Sequence, residues 1–142
     1  DLVAKYDVCL ATGHLSNKEA VLLCNEALNR GVNKILFTHA DFMTNRLPLE
    51  QQVELASKGV FIEKTLLNLH PDWDNVAPKE MVDSIRAIGV DRCIMSTDYG
   101  QLDNPVPSTG MGIFIAEMIK NGVTEDEIKI MTRDNPKTIL NM

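Results

Sequence analysis

Short apolar runs alternate with helical patterns along this chain. Residues 6–11 form the first run, with Val8, Cys9 and Leu10 at its centre, and predict a buried strand. A tight loop, Thr12-Gly13-His14-Leu15, follows. Ser16 and Glu19 are spaced as a capping box, in which the serine hydroxyl and the glutamate carboxylate each satisfy the other's backbone N–H. They predict a helix running to about Asn29, with Ala20, Leu23, Cys24, Ala27 and Leu28 at helical spacing and Gly31 just past its end.

The unit then repeats. Residues 34–38 predict a strand that ends at His39, and residues 49–57 a helix closed by Gly59. Residues 60–64 predict a third strand, followed by a longer loop with Pro71, Trp73 and Pro78. A helix over 79–88 closed by Gly89 leads to a fourth strand over 92–96. Gly31-Val32, Gly59-Val60 and Gly89-Val90 each sit between a helix and a strand, at a period of about thirty residues, the size of a βα unit. Strands alternating with helices predict an α/β fold with a parallel sheet and right-handed crossovers. After the last strand, helices are expected over 111–121 and 126–132, the second opened by a Thr124–Glu127 capping box. Asn135-Pro136 reads as an N-cap and first helical position. Residues 1–142 read as a single α/β domain with four strands and C-terminal helices.

Composition narrows the function. Of 142 residues, 44% are hydrophobic and 24% charged, ordinary for a globular chain, and the formal net charge is -6. An acidic chain without a Lys/Arg run argues against nucleic-acid and membrane-surface partners, and no apolar run reaches the length of a membrane span. Cys9, Cys24 and Cys93 are odd in number and form no CxxC, which suits reduced thiols in a cytoplasmic protein. The chain begins at Asp1 rather than Met, so it is read as a processed product or part of a longer polypeptide.

The candidate chemistry sits where strands end. In parallel α/β proteins the carboxyl ends of the strands carry the reactive groups. His14 follows the first strand, His39 the second and Asp98 the fourth. Each has an ordinary reading by itself: a capping or packing histidine, or an aspartate that forms a turn. A parallel sheet places all three on one rim, where two imidazoles and a carboxylate suit Zn²⁺, Fe²⁺ or Mn²⁺. Glu63, inside the third strand, faces either that rim or a helix. His70, Asp72 and Asp103 read as loop residues, and Arg86 and Arg92 as members of surface pairs. No dinucleotide or phosphate-loop glycine pattern and no GxSxG occurs.

At Ala11-Thr12-Gly13-His14, Phe37-Thr38-His39-Ala40, Ser96-Thr97-Asp98-Tyr99 and Asp134-Asn135-Pro136 the chain resembles the carboxyl-terminal half of an amidohydrolase-superfamily TIM barrel, nearest to uncharacterised metal-dependent hydrolases of that superfamily. The resemblance covers nearly the whole length. It implies that residues 34–38 are strand six and 60–64 strand seven, and that His14, His39 and Asp98 are metal ligands, with zinc the expected metal. The superfamily's His-x-His of strand one and its bridging Lys or Glu of strand four have no counterpart here. Strands one to four would lie upstream of Asp1, so the chain is expected to carry part of a metal site.

Four strands of an eight-stranded barrel cannot close, and they expose an apolar inner face and two sheet edges. The expected partners are therefore the amino-terminal half of the barrel or a second copy, besides a small-molecule substrate. The function expected is a metal-dependent hydrolase in which activated water attacks an amide, ester or lactone-type bond, Asp98 serving as ligand or proton carrier. The alternatives are a non-catalytic scaffold or binding module on a barrel framework and, last, an open-sheet phosphate binder using a helix amino end such as that at Ser16.

Overall fold

The two capping boxes form as their spacing requires. Ser16 Oγ accepts from the Glu19 amide while the Glu19 carboxylate accepts from Ser16, and Thr124 and Glu127 repeat the exchange. They start helices α2 (Asn17–Asn29) and α6 (Glu125–Lys129) in a computed structural model that describes residues 2–43 and 46–142. Ahead of α2 lie helix α1 (Leu2–Tyr6) and strand β1 (Leu10–Ala11). Then come β2 (Ile35–Phe37), α3 (Leu49–Ser57), β3 (Phe61–Thr65), α4 (Pro78–Ile88) and β4 (Cys93–Ser96). Helices α5 (Pro107–Lys120), α6 and α7 (Asn135–Leu140) complete the chain, with a π-helical turn over Ile130–Asp134 between the last two.

The strands form one sheet in the order β1-β2-β3-β4, and every neighbouring pair is parallel. With right-handed crossovers, an order that never reverses stacks the connecting helices on one side of the sheet. On that side Ile35, Phe37, Ile62, Cys93 and Met95 pack with Ala20, Cys24, Leu55, Ala56, Met81 and Ile85. The opposite side carries Leu36, Phe61 and Ile94, a smaller apolar cluster completed by Cys9 and by Ile139 of α7. The exposed inner face expected of a half barrel is thus covered in part by its own last helix.

Three local expectations change. The predicted strand over 6–11 shrinks to Leu10–Ala11, because Tyr6 ends a helix and Asp7 turns the chain at φ +51°. Lys34 Nζ fixes that turn by donating to the Asp7 carbonyl and carboxylate, and Val8 stays exposed. Asn135 is not an N-cap: it is helical at φ -62°, ψ -47°, because the π turn runs straight into α7. Its side chain instead donates to the carbonyls of Val90 (2.8 Å) and Cys93 (2.7 Å), tying down the start of β4 at the sheet edge. Helix α5 begins at Pro107, four residues before the expected start, with proline in its first turn where no N–H is missed.

Candidate functional site

Parallel pairing brings the loops after all four strands to one edge of the sheet. His14 stands three residues past β1, His39 two past β2 and Asp98 two past β4. The His14 and His39 rings approach to 4.9 Å between centroids, tilted by 45°. His39 Nε2 lies 3.9 Å from Asp98 Oδ2. The three sequence candidates therefore meet on one rim, with His39 at the centre.

His39 and Asp98 each turn at φ +54°, in the left-handed region. Non-glycine residues there carry a cost on the order of 1–3 kcal/mol and concentrate at functional sites. Phe42 closes one flank, its ring centroid 6.1 Å from His39 and 6.4 Å from His14.

The third strand contributes a residue whose role the sequence left open. Strand parity sends Glu63 and Lys64 to opposite faces. Glu63 turns to the rim: its Oε2 accepts from the His39 backbone N–H at 3.0 Å and lies 3.4 Å from His39 Nδ1. Its Oε1 accepts from Ser96 Oγ at 2.9 Å. Lys64 turns the other way and is fully buried under α3, where Nζ donates to Asp41 Oδ2 at 2.7 Å and to Gln52 Oε1 at 2.8 Å. Gln52 in turn donates to Asp41 Oδ1 and to the Leu47 carbonyl, so every charge and amide in this network is satisfied. The signal for both residues was their presence in a buried strand, since neither carboxylate nor ammonium survives there without a partner.

Imidazole and carboxylate are donor types that a divalent metal can use. Two imidazoles sharing one metal at bonds of about 2.1 Å hold their centroids roughly 5 Å apart, close to the His14–His39 separation. The gap between His39 Nε2 and Asp98 is too long for a hydrogen bond and near the roughly 3.5 Å between two donors on one tetrahedral metal. Glu63 behind Nδ1 is the kind of outer carboxylate that metal-bound histidines use. Among the described residues there is no group of three or more His, Cys, Asp or Glu side chains that could hold a metal ion, so the rim by itself is not a metal cage.

The remaining candidates stand apart from this chemistry. His70 sits 3.9 Å from Asp72 and lines a cleft of about 270 Å³ with Leu66, Leu69, Tyr99, Ile113 and Glu117. A larger cleft of about 490 Å³ lies between α3 and α4, beside Asp41, Arg46, Gln52 and Glu80. Arg86 pairs with Glu127 and Arg92 with Asp91, as expected of surface arginines. All three cysteines are free, and burial pushes the Cys24 thiol up to about 11 and the Cys93 thiol up to about 12, which leaves them unreactive. Among the described residues no helix is long and apolar enough to cross a membrane.

No curated protein matches the chain. Residues 1–63 match the model of a family of unknown function (DUF6282), a stretch that holds His14, His39 and Glu63 and stops short of Asp98.

Proposed function

We propose that this rim is part of the metal centre of a hydrolase of the amidohydrolase kind, and that the four βα units are half of a (β/α)₈ barrel. The observation that carries the reading is the position of His39, with Glu63 at one ring nitrogen and the Asp98 carboxylate across a donor-sized gap from the other. The unreversed parallel strand order supports the barrel, since a doubly wound sheet would reverse it at a switch point.

His14, His39 and Asp98 would hold the ion, with Zn²⁺ favoured by two imidazoles and a carboxylate, and Fe²⁺ or Mn²⁺ compatible. When bound, such an ion supplies a water acidic enough to be deprotonated near neutral pH. Asp98, exposed at the rim, would accept the proton of the attacking water. As the C–N or C–O bond of the carbonyl substrate breaks, Asp98 returns that proton to the departing nitrogen or oxygen. Phe42 presents an apolar wall beside both imidazoles. Met43, the next residue, is exposed, and its backbone N–H donates to the Asp74 carboxylate. Substrates with an apolar group next to the scissile carbonyl suit that wall. The further ligands come from the rest of the barrel, in the same polypeptide or a second copy.

The test is hydrolysis of ester, lactone and amide substrates by the metal-supplied, assembled protein. His39→Ala and Asp98→Asn are expected to lower kcat by at least a hundredfold while the melting temperature stays within a few degrees. Wild-type turnover in both variants removes the proposal. A scaffold without chemistry is the second reading, favoured by the solvent exposure of His14 and Asp98; it predicts no turnover and no bound metal in any form of the protein.

A further inference from the structure

We infer that Glu63 is a positioning residue that fixes His39 as its Nδ1–H tautomer, so that Nε2 presents a lone pair to the rim beside Asp98. A neutral imidazole carries one N–H and one acceptor nitrogen, and its hydrogen-bond partners decide which is which. Two carboxylates compete for that proton. Glu63 Oε2 is 3.4 Å from Nδ1, whereas Asp98 Oδ2 is 3.9 Å from Nε2. The Glu63 side chain is 12% exposed against 37% for Asp98. The nearer carboxylate is thus also the drier one, where its attraction for an N–H is less screened by water.

Glu63 is itself held in place. Ser96 Oγ donates to one of its oxygens and the His39 N–H to the other. One carboxylate therefore accepts from the His39 backbone and stands 3.4 Å from Nδ1 of its ring, at a residue whose φ of +54° needs support from its surroundings. Free imidazole in water favours the Nε2–H tautomer, so the arrangement acts against the intrinsic preference and leaves a detectable mark. The consequence for metal affinity rests on the metal-centre reading; the tautomer does not.

The experiment is long-range ¹H–¹⁵N correlation of the imidazole nitrogens in histidine-labelled, metal-stripped protein at alkaline pH. His39→Gln assigns the His39 signals among those of His14 and His70. The Nδ1–H pattern is expected for His39 in wild type and in Asp98→Asn, and a shift to Nε2–H in Glu63→Leu. An Nε2–H pattern in wild type overturns the inference, as does an Nδ1–H pattern that survives Glu63→Leu. If Glu63→Leu does not fold, the wild-type and Asp98→Asn spectra still decide. Zinc titration separates the two readings. Metal-centre chemistry predicts that Glu63→Leu weakens Zn²⁺ binding by 10- to 100-fold, the usual effect of losing such a partner. Wild-type protein with the Nδ1–H pattern and no zinc affinity keeps the role of Glu63 and removes the metal centre. Zinc affinity with an Nε2–H ring does the reverse.

Discussion

Glu63 and Lys64 are neighbours with opposite tasks, one at the rim and one sealed under α3. Removing one member of a buried ion pair strands the other, at a cost of about 3–5 kcal/mol, whereas replacing both by apolar groups is often near neutral. Lys64→Met is therefore expected to destabilise by that amount in urea unfolding, and Lys64→Met combined with Asp41→Leu to recover most of it. A loss below about 1 kcal/mol in the single variant would contradict a structural role for the pair. Gly110 shows the same scale of constraint: a Cβ there would fall 2.6 Å from Tyr99 Cδ2. Gly110→Ala should cost about 1–3 kcal/mol by overpacking, read as a lowered melting temperature, and displace the residue that follows Asp98. The common placement of His14, His39 and Asp98 at one edge was legible in the sequence because each follows the end of an apolar run. The facing of Glu63 was not, because Phe61 and Ile62 are both apolar and the period-two pattern carries no label for either side.

Among the elements, α4 and α6 are clasped by Arg86, which donates to both Glu127 oxygens and to the Gly122 carbonyl. The guanidinium pulls the Glu127 carboxyl from its ordinary 4.5 down to about 2. A folded-state value below the unfolded one adds stability that is complete above about pH 4.5 and lost as pH falls toward 2. Glu127→Gln should lower stability at neutral pH by about 1 kcal/mol, as befits a partly exposed pair. Its deficit relative to wild type should shrink through that acid window in denaturant titrations; a deficit independent of pH would show that the pair does not act through charge. The β4 edge depends on Asn135, and Asn135→Ala leaves the Val90 and Cys93 carbonyls without their donor. A cost of about 1–3 kcal/mol is expected on unfolding. Helix starts at Ser16 and Thr124 could be read from the sequence because capping boxes are local. Helix α1 and the π turn could not, since five-residue segments are too short to declare a period and are set by tertiary contacts such as those of Asp7 with Lys34 and Asn141.

For the whole molecule, the order β1-β2-β3-β4 organises everything else. It stacks the crossover helices on one side, leaves Leu36, Phe61, Glu63 and Ile94 on the other, and gathers His14, His39 and Asp98 at one end. The repeat of the βα unit and the parallel sheet were legible because the Gly-Val punctuation recurs at fixed spacing. The packing of Ile139 against Phe61 and Ile94 was not, since it joins residues far apart in the chain. The central claim is that the rim holds a metal, and metal content after chelation and repletion tests it most directly. Elemental mass spectrometry of the assembled protein should find close to one zinc, iron or manganese per site, lost in His39→Ala without loss of cooperative unfolding. Wild-type protein that retains no metal above background, or His39→Ala that retains as much as wild type, would contradict the account.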